Sequence, residues 1–538
     1  YFASIMERMS SNSQSAAAAN RQIARAATTV MAAFILSNLV GLLRGILVYR
    51  AFGTSADLDS FNAANRVAEL LFNLMAGGAL GSAFIPTFTA LITRGEREGA
   101  WRLASGIANL LLVVLSLAGL LAAVFAPQVV RYGLFVLAPD AAPGQEALTV
   151  HLLRLLMPTV VIFGLSGLVM GILNAHQIFL VPAIAPVMYN LGIILGIVAL
   201  PDAWGIDRLA YGALAGSLLH LLVQSPNLLR LRGRYFPSFG LRLPAVREVA
   251  RLIGPRILGV AIVQLNFIVN TIIALSLPEG SNSAIVLAFT WMLMPQMAIA
   301  QSIAIAAMPT FSAQVARGQL DEMRTSLATA LRLVLLLSLP AAVGLILLRT
   351  PLIRLLYEQG EFTARSTEMV AWALLWYALG LVGHSLVEII SRAFYALHDT
   401  RTPVGVGVVA MTLNIIFSLW FARLFAAAGW MPHGGLAAAN ALATSLEAVA
   451  LLVLVRRRLS GLDGSRLLAG LLAGLLAAAL MGAAVYAWAG WATPRSDLLT
   501  AGGGVLAGVL VYLGALAALR VPELSAVART LRRRLRGG

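Results

Sequence analysis

Lysine and cysteine are both absent from this 538-residue chain, and charge of either sign is scarce. Without Cys there is no disulfide, no thiolate nucleophile and no Cys-based metal site. Without Lys the phosphate-binding pattern GxxxxGK[ST] cannot occur, which excludes a Walker-type ATPase. HExxH is missing too, and six scattered His give no ligand spacing. Charged residues make up only 12% of the chain, about half the share of a soluble globular domain. The chain reads as a non-enzyme.

What is present is apolar. Hydrophobic residues fill 59% of the sequence, and the mean hydropathy is +0.86. Apolar segments fall at 26–52, 59–93, 101–126, 146–174, 178–200, 207–230, 250–277, 283–314, 322–348, 366–395, 402–425, 434–456, 466–490 and 497–519. Runs of about 20 residues or more suit helices, whose backbone polar groups are satisfied within the segment, and not the shorter alternating strands of a barrel. The fold class expected is an all-α polytopic membrane protein of about fourteen spans. The connecting stretches 127–145 and 349–365 hold short apolar pieces and are expected to form interfacial helices.

All 39 basic residues are Arg, giving a net charge of +16. Such a balance can mark a nucleic-acid partner, but its distribution favours a membrane. With both termini cytoplasmic, one side holds Arg8, Arg21, Arg25, Arg94, Arg97, Arg102, the series from Arg230 to Arg256, Arg317, Arg324, Arg332, Arg392, Arg401, Arg456–Arg458, Arg466 and the tail from Arg520 to Arg536. The other side keeps Arg50, Arg131, Arg208, Arg349, Arg354, Arg365, Arg423 and Arg495. That asymmetry is the positive-inside pattern. Residues 1–20 read as a disordered cytoplasmic lead without the tripartite pattern of a signal peptide.

An internal repeat organises the spans. IPTFTALITRGE (Ile85–Glu96) matches MPTFSAQVARGQ (Met308–Gln319) at six of twelve positions, with an offset of 223. NAHQIFLVP (Asn174–Pro182) aligns with YALHDTRTP (Tyr395–Pro403) at an offset of 221. Two parallel six-helix lobes follow, related by an axis along the membrane normal. The expected division is an N-lobe at 21–234, a basic interlobe linker at 235–249, a C-lobe at 250–458, an extra helix pair at 459–520 and a basic tail at 521–538.

The segments SNLVGLLRGILVYRAFG (Ser37–Gly53), DLDSFNAANRVAELLFNLMAGGALGSAFIPTF (Asp57–Phe88), LIRLLYEQGEF (Leu352–Phe362) and RAFYALHDTRTPV (Arg392–Val404) resemble the MviN/MurJ family of the multidrug/oligosaccharidyl-lipid/polysaccharide (MOP) exporter superfamily. The resemblance implies a flippase in the bacterial cytoplasmic membrane that moves lipid II, a polyprenyl-diphosphate-linked peptidoglycan precursor, by alternating access. It implies a hydrophobic groove on the last two helices for the lipid tail. Membrane lipids and cell-wall synthesis proteins are the partners it suggests. No cofactor is implied beyond Na⁺ or H⁺ coupling or the membrane potential.

Intramembrane charges are the functional candidates. Arg44, Asp59, Arg66 and Glu69 are the headgroup and cavity set, and Glu388 and Glu447 are candidates for ion coupling or a cavity. Glu358, Gly360, Asp399, Arg401 and Pro403 carry the gating or structural motifs. Each has a plainer reading. Arg44 can snorkel; Arg66 with Glu69 and Glu388 with Arg392 have the spacing of local ion pairs. Asp399 and Pro403 fit a helix cap and first turn, and His384 fits a satisfied core histidine. The sequence also departs from the family pattern: Asn38, Phe72, Asn73, Gly77, Phe289 and Thr290 stand where charged residues are expected. A cavity short of cations leaves two alternatives, export of another lipid-linked glycan or amphipathic substrate, and a transport-inactive scaffold or accessory subunit.

Overall fold

The computed structural model describes residues 33, 35–75, 79–138, 143–493 and 495–523. The lead at 1–20, Gly77 and the tail beyond Glu523 lie outside them. Among the described residues every regular element is a helix. In chain order they are α1 (Ile35–Phe52), α2 (Ala56–Met75), α3 (Ala79–Thr93), α4 (Arg97–Val124), α5 (Pro143–Ala175), α6 (Leu180–Ala199), α7 (Asp207–Leu222) and α8 (Pro244–Leu275). Then come α9 (Ser281–Gln296), α10 (Ser302–Ala316), α11 (Leu320–Tyr357), α12 (Ala364–Ala396), α13 (Arg401–Ala427), α14 (His433–Arg458), α15 (Gly464–Ala492) and α16 (Asp497–Ala518).

Eleven described helices are long and apolar enough to cross a membrane, with α9 and α10 counted as one 36-residue span. A π-helical turn at Met297–Gln301, just after Pro295, joins that pair, relieving the clash that an interior proline imposes on the preceding turn. The remaining expected spans fall on α2 with α3, on α7 and on α8.

One expectation is corrected. The stretch 349–365 does not start a separate interfacial helix, because α11 runs unbroken for 38 residues through Pro340 and Pro351. Ile353 and Tyr357 beyond Pro351 are buried at 0% and 1% exposure, so packing outweighs the hydrogen bond the proline removes. The stretch 127–145 does hold a short helical piece, Ala126–Gln128, leading into a π turn at Val129–Leu134.

The chain divides into two compact units, one of residues 1–51 and 60–264, the other of 52–59 and 265–538. Each carries its own version of the repeat. Phe88 of the first unit is fully buried against Phe84, Trp101 and His176. Phe311 of the second is buried in a core with Met323, Leu327, Ile390 and Phe394. The left-handed turn residues also recur in register: Gly95 and Gly318 have φ of 79° and 73°, Gln177 and His398 have 59° and 58°, and Gly205 and Gly429 have 52° and 75°. Gln177 and His398 lack glycine's freedom in that region, so the shared conformation points to a turn preserved in both halves.

In the second unit α15 and α16 pack on α11. Leu336 and Leu348 of α11 meet Ala477, Met481, Val485 and Leu516. The Tyr512 hydroxyl donates to the Leu336 carbonyl at 2.5 Å, and Arg332 pairs with Glu523 at 2.9 Å. Gly470 and Gly504 let Arg332 and Leu348 approach the helix backbones closely.

Candidate functional site

The first unit holds a cavity of about 180 Å³ lined by Asn65, Glu69, Phe72, Thr159, Phe163 and Tyr189, among others. Its polar edge comes from α2. Helical spacing brings Asn65, Arg66 and Glu69 together. Arg66 Nη1 lies 2.7 Å from Glu69 Oε2 and Asn65 Nδ2 donates to Glu69 Oε1 at 2.8 Å. Glu69 and Tyr189 both line the cavity, with Arg66 held at its edge by Glu69. The apolar wall is aromatic: Phe163 stands 5.7 Å from Phe72, 5.0 Å from Tyr189 and 5.4 Å from His220. Behind it Ser166 hydrogen-bonds His220 at 2.6 Å and accepts from Gln224 at 2.8 Å. An arginine–carboxylate pair and an amide beside an aromatic wall suit an amphipathic group with a polar head.

Asp59 stands elsewhere. It is 3% exposed and belongs to the second unit, where it caps α9. Its carboxylate accepts the Gly280 N–H at 2.8 Å and both the N–H and hydroxyl of Ser283 at 2.6 Å. The exchange is reciprocal: Glu279 Oε1 accepts the Ala56 N–H at 3.0 Å, at the start of α2. Each helix thus receives a carboxylate at the end where free N–H groups and the helix dipole favour negative charge. Around this knot Gly53 (φ 61°) packs on the Glu361 carbonyl and Gly280 (φ 83°) on that of Thr54, both leaving no room for a Cβ. Thr54 Oγ1 donates to Ser366 Oγ at 2.8 Å.

The motif LIRLLYEQGEF closes the same region. Glu358 accepts from the Thr367 hydroxyl at 2.5 Å and lies 3.4 Å from Arg354 Nε. Gly360 takes φ of 63°, a turn that favours glycine. Trp291 Nε1 donates to the Tyr357 hydroxyl at 3.2 Å.

The other candidates disperse. Glu388 pairs with Arg392 at 2.8 Å within α12. Glu447 on α14 faces Gly407 of α13, where a Cβ would lie 3.5 Å from its Oε1. Asp399 accepts the Thr402 N–H at 3.0 Å and its hydroxyl at 2.7 Å, capping α13. Arg401 is exposed and Pro403 buried in that first turn. His384 hydrogen-bonds Asn440 at 2.9 Å. Phe289 packs on Phe267, Tyr377 and His384 at 6.1, 5.2 and 6.2 Å.

Two features escaped the sequence reading. Glu279, the partner carboxylate of the knot, sits 223 positions after Ala56, the residue it caps, so the repeat offset was the available signal. The second is an amide cluster: Asn270 Nδ2 donates to Asn266 Oδ1 at 2.6 Å and Asn414 Oδ1 at 2.9 Å, and Ser418 donates to Asn270 Oδ1 at 3.1 Å. Asn414 matches the buried Asn190 at an offset of 224.

The fold is that of a MOP-superfamily transporter. A solved structure of a lipid II flippase MurJ in an inward closed conformation superposes with a TM-score of 0.76 and 24% identity, covering 91% of this chain and 98% of that one. A multidrug resistance MATE family transporter of the MOP superfamily, inward-facing, gives 0.66 and 17%, covering 81% and 98%.

Sequence comparison then fixes the family. The profile described as lipid II flippase MurJ matches residues 48–495, and the chain belongs to that family. A lipid II flippase MurJ of Burkholderia cenocepacia is 31% identical over 81% of this chain and 84% of its own length. A probable lipid II flippase MurJ of Rhizobium tropici is 30% identical over 90% and 86%. The chain is a multi-pass membrane protein and a transporter, not an enzyme.

Proposed function

We propose that this chain is a flippase that carries lipid II across the cytoplasmic membrane by alternating access. The observation that carries the reading is the family match from residue 48 to 495, reaching both units. In this reading Arg44 and Arg66 receive the diphosphate, with Glu69 holding Arg66 in place. The polyprenyl tail lies against α15 and α16, where Leu468, Leu472, Leu476 and Leu480 are exposed. The Asp59–Glu279 exchange is a latch at the outer ends of the helices. Both termini are cytoplasmic, as the arginine distribution favours. Transport is secondary, driven by the membrane potential or by Na⁺ or H⁺, with Glu447 the intramembrane carboxylate best placed to respond.

A second reading is a transport-inactive scaffold or the export of another lipid-linked glycan. It is favoured by Phe72 and Thr290, uncharged where the family pattern carries cations. One experiment separates them: expression of this chain in a bacterium depleted of its peptidoglycan-precursor flippase. Rescue is expected, and Arg44→Ala is expected to lose it at unchanged membrane abundance. Failure of the intact chain to rescue sinks the lipid II assignment; full rescue by Arg44→Ala removes Arg44 from the headgroup site.

A further inference from the structure

Between α7 and α8 a short helix, Ser225–Arg230, leads into a segment that is not a loose loop. It is an extended strap pinned along the first turns of α4. Arg97 Nη2 donates to the Leu231 carbonyl at 2.6 Å. Ser105 Oγ accepts the Phe236 N–H at 3.1 Å. Asn109 alone holds three groups: its Nδ2 donates to the carbonyls of Phe236 at 3.3 Å and Ser238 at 2.9 Å, and its Oδ1 accepts the Tyr235 hydroxyl at 2.6 Å. Gly106 admits the strap, since a Cβ there would lie 2.9 Å from the Phe239 carbonyl.

What the strap presents is an unusual mixture. Arg230, Arg232, Arg234, Arg242, Arg247 and Arg251 are all exposed, against a single acid, Glu248, in the stretch 229–252. Between them Leu229, Tyr235, Leu241 and Phe239 are 76%, 64%, 59% and 45% exposed. The guanidinium groups of Arg102, which also pairs with Glu98 at 2.7 Å, and of Arg234 lie 5.3 and 5.5 Å from the centre of the same Phe236 ring. Cations converging on one ring, beside fixed apolar side chains, match a headgroup layer: phosphates take the arginines while Leu, Tyr and Phe enter the acyl boundary. A water-solvated linker has no use for pinned, exposed aromatics.

We infer that this strap docks on anionic phospholipid at the membrane surface, with Arg102 and Arg234 flanking a lipid phosphate. The inference rests on the orientation proposed above, which places the strap at the inner leaflet. That premise is tested separately: because the chain has no Cys, a single Ser238→Cys is labelled by an impermeant maleimide only from the strap's own side.

The test reconstitutes the full chain in phosphatidylcholine bilayers containing spin-labelled phosphatidylglycerol or spin-labelled phosphatidylcholine. Electron paramagnetic resonance reads the fraction of each label held at the protein. Preference for phosphatidylglycerol is expected, falling several-fold in an Arg232→Gln/Arg234→Gln/Arg242→Gln variant and in Arg234→Gln alone by a smaller factor. Asn109→Ala, which frees the strap but keeps its charges, is expected to lose part of the preference. An unchanged preference in the triple variant, with normal unfolding temperature, overturns the inference. So does release of the label by inorganic phosphate at constant ionic strength, which would mark a soluble-anion site, or preference that appears only with a cytoplasmic protein bound.

Discussion

In the first unit α6 and α7 cross on a set of facing glycines. Gly192 and Gly196 face Gly212 and Gly216, and a Cβ on Gly216 would lie 2.5 Å from the Tyr189 carbonyl. In the second unit the repeat-related helices α13 and α14 cross differently. One tight contact remains, with Gly435 against Phe421, where a Cβ would be 2.6 Å from the carbonyl carbon. Asn414 and Ser418 of α13 bond not to α14 but to Asn270 of α8. Helices in lipid associate by close backbone approach or by polar contact, since lipid tails are as apolar as leucine. Close approach joins α6 to α7, while polar contact joins α13 to α8. The same divergence runs through α2 and α9: Asn65, Arg66 and Glu69 correspond at an offset of 223 to Ala288, Phe289 and Met292. Polarity has been kept on α2 and lost from α9.

The sharpest break of this comparison is Gly216→Leu. Its side chain has no space beside the Tyr189 backbone, and such overpacking costs about 3 kcal/mol or more. Loss of monodisperse protein in detergent is expected, whereas Ser418→Ala in the second unit is expected to cost only about 1 kcal/mol. Equal tolerance at both sites would show that the α6–α7 and α13–α8 contacts do not differ in kind.

The reciprocal caps give the next effect. Asp59→Ala orphans the donors of Gly280 and Ser283 in a buried place, at about 3 kcal/mol. Glu279→Ala removes one exposed bond, at about 0.5 kcal/mol. Thermal unfolding in detergent measures both, and comparable losses would mean that the exchange is symmetric in energy as well as in form.

Asp399 supplies a smaller effect with a pH signature. The hydroxyl and then the N–H of Thr402 hold its carboxyl below the usual aspartate value. A depressed carboxyl stabilises fully above its unfolded pKa and loses that contribution as the pH falls through the lowered one. Asp399→Ala is therefore expected to cost about 1 kcal/mol at neutral pH and nothing in strong acid. The smallest effect is Glu388→Gln, about 0.3 kcal/mol for a part-exposed i,i+4 pair. Unfolding temperatures across pH decide both.

The sequence was informative where the physics is local. Lengths of apolar runs place most spans, and the pairing of Arg66 with Glu69, of Glu388 with Arg392 and the cap of Asp399 follow from spacing of three or four residues. It was silent where partners are distant. Asp59 and Ser283 are 224 residues apart, and nothing near Asp59 marks it as a cap for another helix. The separate piece expected at 349–365 fails for the opposite reason: the helix continues past Pro351 because burial of Ile353 and Tyr357 overrides its local effect.

The length of α11 has a mechanical meaning. At 1.5 Å per residue its 38 residues form a rod of about 57 Å, nearly twice the hydrocarbon thickness. Two fastenings tie α15 and α16 to it far apart, Arg332 with Glu523 about a third of the way along and Arg354 with Asp497 near the far end. A beam pinned at two separated points cannot pivot against its load. Any tilt of α11 is handed to the helix pair undiminished, and about 5° about one end swings the other through about 5 Å.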